Sequence, residues 1–238
     1  MRLPRFFCTL LRDDESGVAM TEFALSAPFL MFAGMAGIEV AWLSITYMRV
    51  NQAALSIADN ASRIGDTSTL QNRKIYEADI NDLLMGANYQ GSEALKLFDH
   101  GRVIISSLEV VPGSAPRQYI HWQRCMGKHR VDSSYGLEGD GLGGGKPMMG
   151  MGPKGNQVSA FDEEDAVIFV EINYEYQPLF TDFFLGNEPI HAIGTFNVRD
   201  DRDLSQLYFS DEDEPEEIAD CSTYANLAGE ESPPAGEG

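Results

Sequence analysis

From Phe23 to Tyr47 the chain runs for 25 residues with a single charged side chain, Glu39, and no later stretch repeats such a run. About 20 apolar residues, coiled as a helix, cross a hydrocarbon layer roughly 30 Å thick, so the segment is read as one membrane-spanning helix. Arg2, Arg5 and Arg12 precede it, and the next basic residue, Arg49, lies beyond it. An N-terminal flank carrying arginines stays cytoplasmic, which places the C-terminal bulk on the far side of the membrane.

Helical periodicity outlasts the apolar run. Val50, Ala53, Ala54, Ile57, Ala58, Ala61 and Ile64 recur at spacings of three and four, which predicts one long helix over residues 18–65 with Gly65 as its stop. A second helix is expected from Asn72 to Met85, with Ile75, Ile80, Leu83 and Leu84 on one face and Gly86 closing it. The pattern then changes to strands. Arg102–Val111, Gln118–Arg124, Ala166–Tyr176 and Pro189–Val198 are rich in Val, Ile, Phe and Tyr and are bounded by Gly, Pro and Asp. These predict an α+β fold, a long N-terminal helix packed on an antiparallel sheet of about four strands, within a domain spanning residues 66–210.

Charge narrows the function classes. Asp and Glu total 37 against 17 Lys and Arg, a net charge of −20, which argues against nucleic acid as a partner. Residues 211–238 hold ten acidic residues and no basic one, and are expected to be a mobile tail. Residues 136–155 contain nine glycines in twenty positions, a loop that is either functional or mobile. Its Gly145-Lys146 is followed by Pro147 where a phosphate loop needs Ser or Thr, so no nucleotide site is expected. His100, His121, His129 and His191 lack ligand spacing, and no G-x-S-x-G or H-E-x-x-H occurs. No enzyme, cofactor or metal site is expected. Asp162 to Asp165 lacks the ordered spacing of a calcium loop and is taken as a solvated turn, and Arg199 and Arg202 as members of a surface ion-pair turn.

The membrane entry reads Gly17-Val18-Ala19-Met20-Thr21-Glu22-Phe23. A carboxylate in a spanning helix is costly, so Glu22 calls for a partner. Cleavage after Gly17 supplies one, because the new α-amino group on Val18 is a cation that Glu22 of a neighbouring subunit can pair with. Gly17 also leaves the backbone open to a protease. Glycine, an apolar residue, Glu at the fifth mature position and Phe23 after it resemble the type III signal of prepilins. The stretch RDDESGVAMTEFALSAPFL resembles the TadE/TadG-like family of tight-adherence pilus proteins. Later segments, AVIFVEINYEYQPLF, IGTFNVRDDRDL, YIHWQRC and SSYG, are similar to the sheet and middle regions of that family.

The resemblance implies a cytoplasmic leader of residues 1–17 and processing by a membrane aspartic prepilin peptidase. It further implies a bacterial inner-membrane protein with a periplasmic domain, assembling with other pilin or pseudopilin subunits and Tad assembly proteins as a minor component of a Tad-type pilus or secretion apparatus. Val18 stands where major type IV pilins carry Phe, and the soluble domain is far larger than that of a major Tad pilin, which argues against the bulk fibre subunit. The same residues also fit an uncleaved anchor presenting a periplasmic adaptor, whereas a conventional secretory signal would show a shorter apolar core with an A-x-A-like site, and this stretch is long for that. An anchored hydrolase is a third functional class.

Within the helix, Glu39 falls about 31 Å beyond Val18, at the outer interface beside Trp42 and Tyr47. Gly34, Gly37 and Ala41 make a small-residue face that permits close helix approach. Cys125 and Cys221 both fall on the external side, whereas Cys8 lies in the leader, and two thiols in an oxidising periplasm suggest one bridge closing about 97 residues.

Overall fold

The computed structural model describes residues 16–65, 72–90, 95–143, 148–180, 189–198, 202–211, 213 and 215–224. The leader before Ser16, Arg199, and the end of the chain after Tyr224 lie outside them. The elements are α1 (Ser16–Ala61), α2 (Glu77–Gln90), α3 (Leu97–His100), β1 (Gly101–Val110), β2 (Gln118–Met126), β3 (Ala166–Glu175) and β4 (Pro189–Asn197). The expected α+β class holds, and each of the four expected strands is present to within two residues at its ends. The chain forms two compact units. One contains α1 through Ser44 together with the short stretch Pro178–Gly186, and the other contains the rest of α1 and the sheet.

Along α1 the side chains change surroundings. From Val18 to Met48 most of the large apolar residues are exposed, with Met35, Trp42 and Leu43 half-buried, whereas Val50, Ala54, Ile57, Ala58 and Ala61 are buried. The helix ends four residues before Gly65. Ser62 N–H donates to Ala58 and Arg63 N–H to Asn60, a tightened last turn. The buried guanidinium of Arg202 donates to the Ala61 carbonyl over 3.1 Å. A cation at that end satisfies an orphan carbonyl and opposes the helix dipole. Arg202 is therefore a helix cap rather than a member of a surface ion-pair turn.

The second helix begins later than its apolar spacing suggested and continues past Gly86. Residues 73 and 76 are extended instead, in parallel bridges to Arg202 and Tyr208. Asp79 then accepts the Tyr76 backbone N–H at 3.1 Å, so its side chain reaches back to the residue before the helix as in half of a capping box. Pairing to a distant segment outcompeted the helical period of Ile75.

The sheet has the order β2-β1-β3-β4, and every pair is antiparallel. All ten residues of β1 are buried, Arg102, Ser106, Ser107 and Glu109 included, because both sheet faces are covered. On one face Leu108, Val110, Ile120, Val167 and Phe169 pack with Met151 and Ala160 of the β2–β3 connection. The same connection extends the β2 edge: Gln118 N–H donates to Met148, Ile120 N–H to Asp140, and Gly139 N–H to Ile120. Gly141, at φ +89°, approaches so closely that a Cβ there would lie 2.2 Å from the Gln118 carbonyl oxygen. Part of the glycine-rich segment is thus a fitted cover, and its residues 144–147 lie outside the described ones.

The opposite face receives the helices. Arg124 on β2 forks onto Glu77 at the start of α2, Nε to Oε2 at 3.0 Å and Nη2 to Oε1 at 2.5 Å, with both side chains almost fully buried. Gly194 on β4 meets the backbone of α1, and a Cβ there would fall 2.2 Å from the Ala54 carbonyl oxygen. The neighbour is backbone, so it cannot swing aside. Gly194→Val should therefore lower stability by about 3 kcal/mol, the upper range for overpacking, read as a lower urea midpoint by tryptophan emission. An unchanged midpoint would mean that α1 does not seat on β4.

Candidate functional site

The first turns of α1 carry the residues singled out at the membrane entry. Gly17, Val18, Glu22 and Phe23 are exposed positions in the first turns of one continuous helix. Among the described residues, nothing beyond the helix's own backbone lies within 4 Å of where a Cβ at Gly17, Gly34 or Gly37 would stand. Thr21 Oγ1 donates to the Val18 carbonyl at 2.8 Å, and Ser26 Oγ to Phe23 at 3.2 Å, so the polar side chains here are folded back on the helix. Among the described residues no cation pairs with Glu22. Along this stretch α1 exposes most of its large apolar side chains. By length and composition it is the one described helix able to cross a membrane, with a mean hydropathy of 1.6.

Glu39 is different. It is 0% exposed, and its two carboxylate oxygens accept the backbone N–H groups of Leu179 and Phe180, each at 3.1 Å. Two backbone donors replace water around the charge, which is what a buried carboxylate requires. Its partners lie 140 and 141 residues away in sequence, so residue spacing carried no signal of them.

The structure joins Cys125 and Cys221 in a disulfide, with an S–S distance of 2.01 Å. Around it the acidic segment is tied down by more than one bond. Cys125 N–H donates to the Ala219 carbonyl, and the buried Arg102 donates from Nη1 to Thr223 at 3.0 Å and from Nη2 to Cys221 at 2.5 Å. Arg102 also stacks on the Tyr224 ring, 4.1 Å from its centroid. Asn81 Nδ2 holds the Glu217 carbonyl from the α2 side. These carbonyl acceptors are invisible to side-chain patterns, and so was the role of Arg102.

Two carboxylate–imidazole pairs sit in the sheet. Glu109 Oε2 lies 2.9 Å from His121 Nδ1 and 3.2 Å from Tyr119 Oη, while Ser107 Oγ donates to Oε1. Hydrogen bonding to Glu109 raises the His121 pKa above its ordinary value against the opposing effect of burial. Burial and the same carboxylate push the Tyr119 phenol up to about 12. Glu171, fully buried, is pushed up by burial, yet hydrogen bonds from His191, Ser134, Ser133 and Asn173 outweigh this and hold its pKa below the usual carboxylate range. The pairs are separate, on β1–β2 and β3–β4. Among the described residues no group of three or more His, Cys, Asp or Glu could hold a metal ion. Both pairs work as cross-strand ties.

A raised imidazole pKa stabilises the fold fully below the unfolded value and loses that contribution as pH rises through the folded value. The stability gap between the native chain and His121→Gln should therefore be widest below the unfolded imidazole value of about 6.5 and narrow as pH rises above it, as urea midpoints across that range would record. The depressed Glu171 acts oppositely, its contribution lost as pH falls through its folded pKa. Replacing Cys221 with Ser should cost roughly 4 kcal/mol, given the 96-residue separation, and alkylation of the native chain under denaturing, non-reducing conditions should label neither Cys125 nor Cys221.

No curated protein and no solved structure matches the chain. The family model described as TadE-like protein matches residues 17–59. The match begins at Gly17 and covers the exposed apolar half of α1 together with most of the part seated on the sheet. Over these residues the long helix is similar to the TadE-like family.

Proposed function

We propose that the chain is a minor pilin-like or pseudopilin-like structural component of a Tad-type pilus or secretion apparatus, anchored in the bacterial inner membrane by α1. The observation that carries this reading is the coincidence of three features on one segment. The TadE-like match starts at Gly17, the helix behind it is apolar with most of its large side chains exposed, and the same helix continues into the folded domain. TadE-like proteins are structural pilus components, and the sheet pairs described above need no catalytic role. In this reading prepilin peptidase cuts after Gly17 and the N-terminus faces the cytoplasm. The domain with its Cys125–Cys221 bond then faces the periplasm, an oxidising compartment that suits a disulfide. The freed ammonium of Val18 pairs with Glu22 of a neighbouring subunit, and Phe23 packs beside it within the helix bundle.

Intact mass of the membrane-extracted protein decides the processing: loss of residues 1–17 is expected, and Gly17→Val should leave the chain full length. A native protein that keeps its leader would make it an anchored adaptor. Glu22→Gln separates cutting from assembly, because it keeps the size of the side chain and removes the charge. It should still be cleaved, accumulate in the membrane and co-purify poorly with pilin partners. Normal surface pili with this variant would remove Glu22 from the assembly mechanism.

A further inference from the structure

Glu39 lies 21 residues after Val18, about 31 Å along a straight helix, which is the thickness of a hydrocarbon core. Its carboxylate therefore marks the level at which α1 leaves the acyl chains. At that level the helix does not stand alone. The chain leaving β3 comes to it, and the two backbone amides it presents to Glu39 belong to Leu179 and Phe180. Their side chains stay outside: Leu179 is 52% exposed and Phe180 40%. A folded domain facing only water has no reason to spend a buried carboxylate on displaying two large apolar side chains. A domain resting on lipid does, because amphipathic and aromatic groups at the headgroup boundary bury apolar area there. The sequence next along the chain keeps the same character with Phe183, Phe184 and Leu185, which lie outside the described residues.

We propose that Leu179 and Phe180 form a second membrane contact, a short apolar wedge that enters the bilayer interface beside the outer end of α1 and is held there by Glu39. The occupant of this surface is lipid, the headgroup and upper acyl region. A charged side chain at this depth is tolerated because both of its oxygens are hydrogen-bonded and the wedge covers it. Glu39 is a positioning residue, acting on lipid only through the two amides it fixes. The proposal rests on the reading of α1 as a membrane span.

Nitroxide labels test both layers. Full-length Cys8→Ser protein, with the native disulfide retained, is reconstituted at low density in phosphatidylcholine–phosphatidylglycerol vesicles, with a single added cysteine at Leu179, Phe29 or Met149. Collision with oxygen, which concentrates in lipid, is compared with collision with a water-soluble nickel chelate. The Phe29 label should be rich in oxygen and shielded from nickel, and the exposed Met149 label the reverse. The Leu179 label should show a several-fold loss of nickel collision relative to Met149 with oxygen collision retained, and Glu39→Ala should restore nickel collision at 179. Should Phe29 itself be open to nickel, the membrane reading of α1 fails and the wedge with it. With Phe29 shielded, a Leu179 label as open to nickel as Met149 overturns the wedge alone. Low collision with both reagents at 179 also overturns it, since that marks a protein neighbour. Nickel collision unchanged by Glu39→Ala overturns the assignment of Glu39.

Discussion

One helix has to satisfy two solvents. Up to Met48 most of the large apolar side chains of α1 are exposed, and from Val50 onward the same helix turns a narrow face of Val, Ala and Ile toward a sheet. The helix is continuous between the two regimes, so the change is made by the side chains it carries, with Asn51, Gln52, Asp59 and Asn60 on the side away from the buried face. Small residues at 54, 58 and 61 let the sheet come close, and Gly194 completes the approach from the other side. The covering of the second sheet face, the cap from Arg202 and the fork from Arg124 to Glu77 all serve a domain built around the end of that helix.

Period made most of this architecture legible in advance. The switch from spacings of three and four to alternation, and the clusters of Val, Ile and Tyr between Gly and Pro, located α1 and all four strands to within a few residues. What escaped were the contacts made by backbone groups far apart in sequence. Ile75 and Ile80 share a helical spacing, but pairing of residues 73 and 76 with the segment near Arg202 and Tyr208 draws residues 73–76 into an extended form. Burial of Arg102, Arg202 and Glu39 was equally hidden, because each bonds main-chain carbonyls or amides, which no motif records.

At the membrane entry the balance is reversed. Gly17, Val18, Glu22 and Phe23 are exposed among the described residues, so their meaning rests on residue type and order, and the TadE-like match falls on the same stretch. The glycine-rich segment is the opposite case. It looked loose by composition, yet part of it lies along β2, and at Gly141 any side chain would collide with the β2 backbone.

That flat-lying cover, with Ala219 beside Cys125 continuing it, occupies the outer side of β2 along most of its length. A fibre made by strand addition needs two open edges on every subunit, one to receive and one to offer. With one margin sealed by its own chain, this sheet can join at most one other sheet, so strand pairing stops at a pair. Strand pairing through this sheet cannot by itself carry a longer polymer.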